Sequence, residues 1–330
     1  MKTWILVSIA GLAGVLIGAF APLGDESNAP PPRTGDTFSI GGGWLTGNYY
    51  PAAGAICNQL QATEGFEEDC LVRPSHGSIE NLQALREGLN SFAIVQSDWQ
   101  FHAYHGTSLF EEEGAFTTLR SIMTLYGEAA SLLVRPGVDA EDMNDLKGLR
   151  ISIGEEGSGT AATWQAVAEA AGWSGADLAA AQKLGSLDAI AGLCAGDLDA
   201  IFWIVGHPSS VTLEVIERCG ATLLPVHASA VDTLVEENPY FLKITLLADG
   251  YPGQTEAIET LGVGASLVTR QDVPAALVEG LTAAVLDDID GFRAAHPALT
   301  GFGKASAIGG GLSAPLHDGA KSALEERGVR

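Results

Sequence analysis

Two glycine-rich turns carry the residues best suited to chemistry. Thr37 to Tyr50 reads TFSIGGGWLTGNYY and Leu149 to Ala162 reads LRISIGEEGSGTAA. Each passes from a β-type segment through a turn into a helical pattern. Backbone N–H groups presented by such a turn, with the partial positive charge of the helix start, can hold a carboxylate or a similar small anion. Motifs for catalysis are missing: there is no G-x-x-x-x-G-K-[ST], no H-E-x-x-H and no G-x-S-x-G. Ser158 sits in Glu156-Gly157-Ser158-Gly159, with glutamate where the nucleophile elbow needs its first glycine. Gly154-x-x-Gly157-x-Gly159 inverts the dinucleotide-binding spacing. His102 and His105 have no carboxylate beside them at ligand spacing and read as surface residues, so neither metal nor cofactor is expected.

The elements that position these turns follow one plan twice. After the first turn Ala52, Ala55, Ile56 and Leu60 recur at helical spacing; after the second Trp164, Val167, Ala168 and Ala171 do, up to Gly172. A further unit follows in each half. Asn81 to Asp98 reads as a helix closed by Gly88 and a buried strand at Ser91 to Val95, and Ala189 to Gly206 as a helix closed by Gly196 and a strand at Asp199 to Val205. This pattern is a diverged internal duplication. Alternating strands and helices imply an α/β fold of two doubly wound lobes, with ligand outside the carboxyl ends of the strands. The apolar stretches Ser121 to Val134 and Gly262 to Val268 read as two crossings between lobes. Lobe 1 is then residues 36–127 and 263–330, and lobe 2 residues 128–262. Lobes that face each other would point two helix N-termini into one cleft.

The chain has 330 residues, enough for two cores, and its 17 basic against 41 acidic residues give a net charge of −24. That balance argues against nucleic acid as a partner. Residues 1–21 read as a secretory signal peptide: Lys2 precedes an uncharged apolar run from Trp4 to Ala21 that ends in Ala19-Phe20-Ala21. Pro22 after that site leaves open a shifted cut or retention as an uncleaved anchor. Residues 22–35, with Pro30-Pro31-Pro32, form an extended linker. Export to the periplasm makes the four cysteines informative, since an oxidising compartment favours disulfides. Of the three pairings, Cys57 with Cys70 and Cys194 with Cys219 are preferred because each pair falls inside one lobe; four reduced thiols are the alternative. A monomer is expected.

Six segments together resemble one family. GGGWLTGNYYPAAGAIC (Gly41 to Cys57), GSIENLQALREG (Gly77 to Gly88), AIVQSDWQFHAYHGT (Ala93 to Thr107), GEEGSGT (Gly154 to Thr160), VGHPS (Val205 to Ser209) and LSAPLHDGA (Leu312 to Ala320) resemble the TAXI family of extracytoplasmic solute receptors of TRAP transporters. The resemblance spans nearly the whole chain after the apolar run. It implies a two-lobed type II periplasmic-binding-protein fold that closes on a solute and delivers it to a TRAP membrane permease driven by an ion gradient. It also implies a small carboxylate ligand, such as glutamate or 2-oxoglutarate. Carried over by position, the binding segments are Gly43, Thr46 and Gly47 with Tyr49 and Tyr50; Ser78 and Asn81; Gln96 and Asp98; Gly157, Ser158, Gly159 and Thr160; and Gly206 with His207. Tyr49, Tyr50 and Trp203 would add apolar walls with polar tips, and His317 is expected to be structural. The pattern departs from relatives at His76, often glycine there, and at Ala161 and Ala162, which stand where a basic or amide side chain is common. Protonated His76 would supply the missing positive charge, with Arg73 the second source or else a solvated surface charge.

The reading from sequence is a non-enzymatic solute receptor. An exported ligand sensor for a membrane kinase and a secreted α/β enzyme are the alternatives. The enzyme would need a catalytic triad, and no serine or cysteine has local support for one.

Overall fold

The structure, a computed structural model, describes residues 37–329 apart from Gly157 and His227. The expected signal peptide, the linker and Gly157 therefore lie outside the described residues. The first half runs β1 (Thr37–Gly43), α1 (Tyr49–Ala62), β2 (Asp69–Pro74), α2 (Ser78–Arg86), β3 (Phe92–Gln96), α3 (Ser97–His105) and the long β4 (Leu119–Val134). The second runs β5 (Arg150–Ser152), α4 (Gly159–Ala170), β6 (Ala180–Gln182), α5 (Ser186–Ala195), β7 (Ala200–Gly206), α6 (Ser210–Cys219), β8 (Thr222–Leu224), α7 (Ala228–Glu237), β9 (Phe241–Leu246) and β10 (Ile258–Arg270). Helices α8 (Ala275–Asp287), α9 (Ile289–Ala295), α10 (Lys304–Ala307) and α11 (Asp318–Glu326) complete the chain.

The duplication is visible in the strand order β2-β1-β3-β10-β4-β7-β5-β6. On one side β1 pairs parallel with β2 and β3; on the other β5 pairs parallel with β6 and β7. Between them β4 and β10 run antiparallel to each other and to their outer neighbours. Both are longer than the apolar stretches expected from sequence, because each serves the two sides in turn. Near Tyr126 and Ala265 they join a core with Phe38, Ile56, Phe92 and Val285. From Ala130 onward in β4, and up to Val263 in β10, they pack with Trp164, Val167 and Phe202. Gly41 shows how tightly the first turn is built, since a Cβ there would sit 2.5 Å from Asn81 Oδ1.

Disulfides join Cys57 to Cys70 and Cys194 to Cys219, 13 and 25 residues apart in sequence. The first ties α1 to β2 and the second α5 to α6. Each restricts the unfolded chain, so replacing both cysteines of either pair with alanine should lower the unfolding free energy by about 2–4 kcal/mol. Denaturant titration of the two double variants checks this. A loss below about 0.5 kcal/mol would mean that the unfolded chain is already constrained without the bridge.

Candidate functional site

A cavity of about 400 Å³ opens where the loops after β1, β2, β5 and β6 meet. Four helices begin on its wall: Asn48 and Tyr49 of α1, Gly77 and Ser78 of α2, Ser158 and Gly159 of α4, and Gly185 and Ser186 of α5 all line it. Sequence suggested only two such helix starts. At α1, α2 and α5 no side chain caps the first turn, which leaves backbone N–H groups there without an intrahelical or side-chain partner. At α4, Ser158 Oγ accepts from Ala161 N at 3.2 Å, and the hydroxyl proton stays available to a ligand.

The rest of the polar lining is held from across the chain. Tyr49 Oη donates to Glu128 Oε2 at 2.7 Å. Ser78 Oγ accepts from Gln96 N at 3.0 Å, Thr160 Oγ1 accepts from Ile204 N at 3.3 Å, and Asn48 Nδ2 donates to the Gly206 carbonyl at 3.1 Å. The ionisable acids and bases on the wall are Glu128, Glu155, Asp188 and His76; among the described residues no lysine or arginine lines it. Burial pushes the Glu128 carboxyl up to about 7, against the hydrogen bonds from Tyr49 and Gln96 that favour its charged form. Burial, with the nearby Glu128, also drives the Tyr49 phenol well above its ordinary range. Among the described residues no cluster of His, Cys, Asp or Glu could hold a metal ion.

Of the residues singled out from sequence, Gly43, Thr46, Tyr49, His76, Ser78, Ser158, Gly159 and Thr160 line the cavity, as do Gly47 and Trp203. Tyr50, Asn81, Gln96, Asp98, Gly206 and His207 are not on its wall. Asn81 is fully buried beneath the first glycine turn, with its amide nitrogen donating to the carbonyls of Gly41 at 3.2 Å and Ile94 at 2.9 Å. Gln96 packs against the backbone of Gly159. Asp98 accepts from Trp99 N at 2.8 Å and from Thr163 Oγ1 of α4 at 3.4 Å, and its burial raises the carboxyl to about 7. His207 bridges Ser131 Oγ, 2.7 Å from Nε2, and Tyr251 Oη, 2.6 Å from Nδ1; burial lowers its pKa to about 4. Tyr50 flanks Gly42 on β1. Arg73 is exposed and off the wall.

His76 reaches the mouth rather than the floor. Its side chain is 68 % exposed, stacks edge-on with Trp44 and places Nδ1 2.7 Å from Glu80 Oε2. His317 caps α11 through Nδ1, in keeping with a structural role. Sequence reasoning missed Asn48, Glu128, Ser152 and the start of α5. Glu128, the one acid in the apolar run of β4, and Gly185-Ser186 ahead of a helical pattern were the available signals.

Residues 40–328 match the family described as NMT1-like. Among solved structures, the periplasmic aliphatic sulphonate binding protein SsuA from Escherichia coli is 15% identical, with 89% of this chain and 84% of that chain covered and a TM-score of 0.48. An ancestral arginine-binding protein bound to arginine is 14% identical over 80% and 98%, with a TM-score of 0.49. A structure concerned with glutathione import via GshT and the cystine ABC importer TcyBC of Streptococcus mutans is 10% identical over 84% and 97%, with a TM-score of 0.50. At 10% identity the likeness to this last structure concerns the fold alone.

Proposed function

Since the chain belongs to the NMT1-like family, we propose that it is an exported, non-enzymatic solute receptor that captures a small carboxylate between two lobes and passes it to a membrane transporter. The observation that carries this reading is the convergence of four helix starts, three of them without a side-chain cap, on one cavity. A carboxylate there would be held by backbone N–H groups and the hydroxyls of Thr46, Ser158 and Thr160 rather than by a cationic clamp. The lobes are residues 36–127 with 263–330, and residues 128–262. Delivery to a TRAP-type permease in the periplasm, and glutamate or 2-oxoglutarate as the solute, follow from the TAXI resemblance. The enzyme alternative gains nothing from Ser131 and His207: that serine is fully buried within β4, beyond the reach of a substrate.

A ligand that binds only the folded chain stabilises it by about 2.7 kcal/mol at 100 times its Kd. Thermal unfolding with a panel of small carboxylates, amines and sugars is the test, with glutamate and 2-oxoglutarate as reference compounds. Carboxylates should raise the midpoint by several degrees. A panel in which only amines or sugars do so would overturn the anion reading.

A further inference from the structure

One end of the cavity differs in character from the ring of helix starts. Beneath the start of α5 the wall is formed by Leu184, Leu187, Ile201, Trp203, Val205 and Val211. Ser152 lies opposite Ile201 in the register of β5 and β7, and Trp203 follows two residues on, so strand alternation puts all three side chains on the face toward α5. Ser152 is 1 % exposed and Trp203 7 %. Among the described residues neither Ser152 Oγ nor Trp203 Nε1 has a hydrogen-bond partner, although both side chains line the cavity. Leaving a buried donor unpaired is costly, and an acceptor supplied by a ligand removes that cost.

Building on the carboxylate reading, we propose that this end is a subsite for an apolar chain carrying one neutral acceptor oxygen. The solute is then a monocarboxylate with a distal carbonyl or hydroxyl, which keeps the small-carboxylate reading but departs from the dicarboxylates glutamate and 2-oxoglutarate that the TAXI resemblance implies. The indole N–H can only donate, and the serine hydroxyl donates readily, so the pair selects an acceptor. A second carboxylate would enter a largely apolar pocket that, among the described residues, has no lysine or arginine on its wall and has Glu155 and Asp188 on it. Burying a charge without a partner is strongly unfavourable, whereas a ketone of the same shape loses little on leaving water.

The probes are 5-oxohexanoate, which has the distal carbonyl, glutarate, which replaces its methyl ketone by a carboxylate of the same shape, and hexanoate, which lacks the acceptor. By calorimetry, 5-oxohexanoate should bind at least about tenfold more tightly than glutarate. Ser152→Ala and Trp203→Phe should each weaken 5-oxohexanoate about three- to tenfold more than they weaken hexanoate, with folding of each variant checked by circular dichroism. Glutarate binding as tightly as 5-oxohexanoate would overturn the subsite while leaving the carboxylate reading intact. Equal losses for 5-oxohexanoate and hexanoate in both variants would also overturn it, since a merely structural role moves both. Failure of all three probes, together with glutamate and 2-oxoglutarate, would remove the carboxylate reading and this subsite with it.

Discussion

Replacing Gly159 with valine is expected to lower ligand affinity at least about a hundredfold, or about 2.7 kcal/mol, with an unchanged circular dichroism spectrum. A Cβ at this position would sit 2.0 Å from Gln96 Oε1 and 2.7 Å from Gln96 Cδ. Gln96 closes β3 and Gly159 opens α4, so the collision falls between the two halves of the sheet, not inside either one. The core around Phe92 and the core around Trp164 are both untouched, and the chain still folds. What is lost is the close approach of the halves around the cavity. Apparent affinity falls with the population of the binding-competent form. Gln96 is 5 % exposed and has little room to retreat. From sequence, the glycine is explained by close approach of ligand to backbone; in the structure the space is taken by Gln96. A paired substitution separates the two causes. Gln96→Ala should recover affinity in a Gly159→Ala background if the collision is responsible. No recovery would return Gly159 to direct ligand contact. Titration calorimetry with the carboxylate giving the largest thermal shift provides the measurement.

Neutralising the buried acids is expected to stabilise the protein more at pH 8 than at pH 5. Burial raises both Asp98 and Glu128 to about 7, whereas in the unfolded chain each titrates in the ordinary carboxyl range. Between that range and pH 7 the folded state therefore holds protons that the unfolded state has released, and stability falls as pH rises. The contribution is fully present below the unfolded pKa and fully lost above about 7. At about 1.4 kcal/mol per pH unit, the change between pH 5 and about pH 7 is about 3 kcal/mol for each group. His207 acts in the opposite sense: burial lowers it to about 4, so its contribution is lost as pH falls below its unfolded value. The comparison of variants cancels that term. Glu128→Gln keeps an acceptor for Tyr49 Oη, and Asp98→Asn keeps one for Trp99 N. Urea unfolding should show each variant's advantage over wild type growing by about 3 kcal/mol from pH 5 to pH 8. Equal effects at both pH values would mean that the carboxyls are not held protonated by the fold.

Much of the architecture was legible because it is written in local periodicity. The glycine turns, the helical spacing after each, the closing glycines at 88 and 196 and the repeated order of units all appear within short windows of sequence, and the strand order β2-β1-β3 and β6-β5-β7 follows that repeat. Cysteine pairing was legible for a related reason, since each bridge joins neighbouring elements of one half. The site was legible only in part. Periodicity tells whether a side chain faces a core, but not which distant group uses up its polar atoms. Asn81 spends its amide on Gly41 and Ile94, His207 both ring nitrogens on Ser131 and Tyr251, and Gln96 its space on Gly159, so none of them reaches the cavity. Conversely, Glu128 lies in an apolar strand and becomes part of the wall because Tyr49, 79 residues away, meets it across the join of the two halves. The sequence by itself determined the elements, their duplication and the turns that could hold an anion. Which polar atoms are left for a ligand was decided by tertiary structure alone, because it depends on hydrogen bonds between residues that only folding brings within reach.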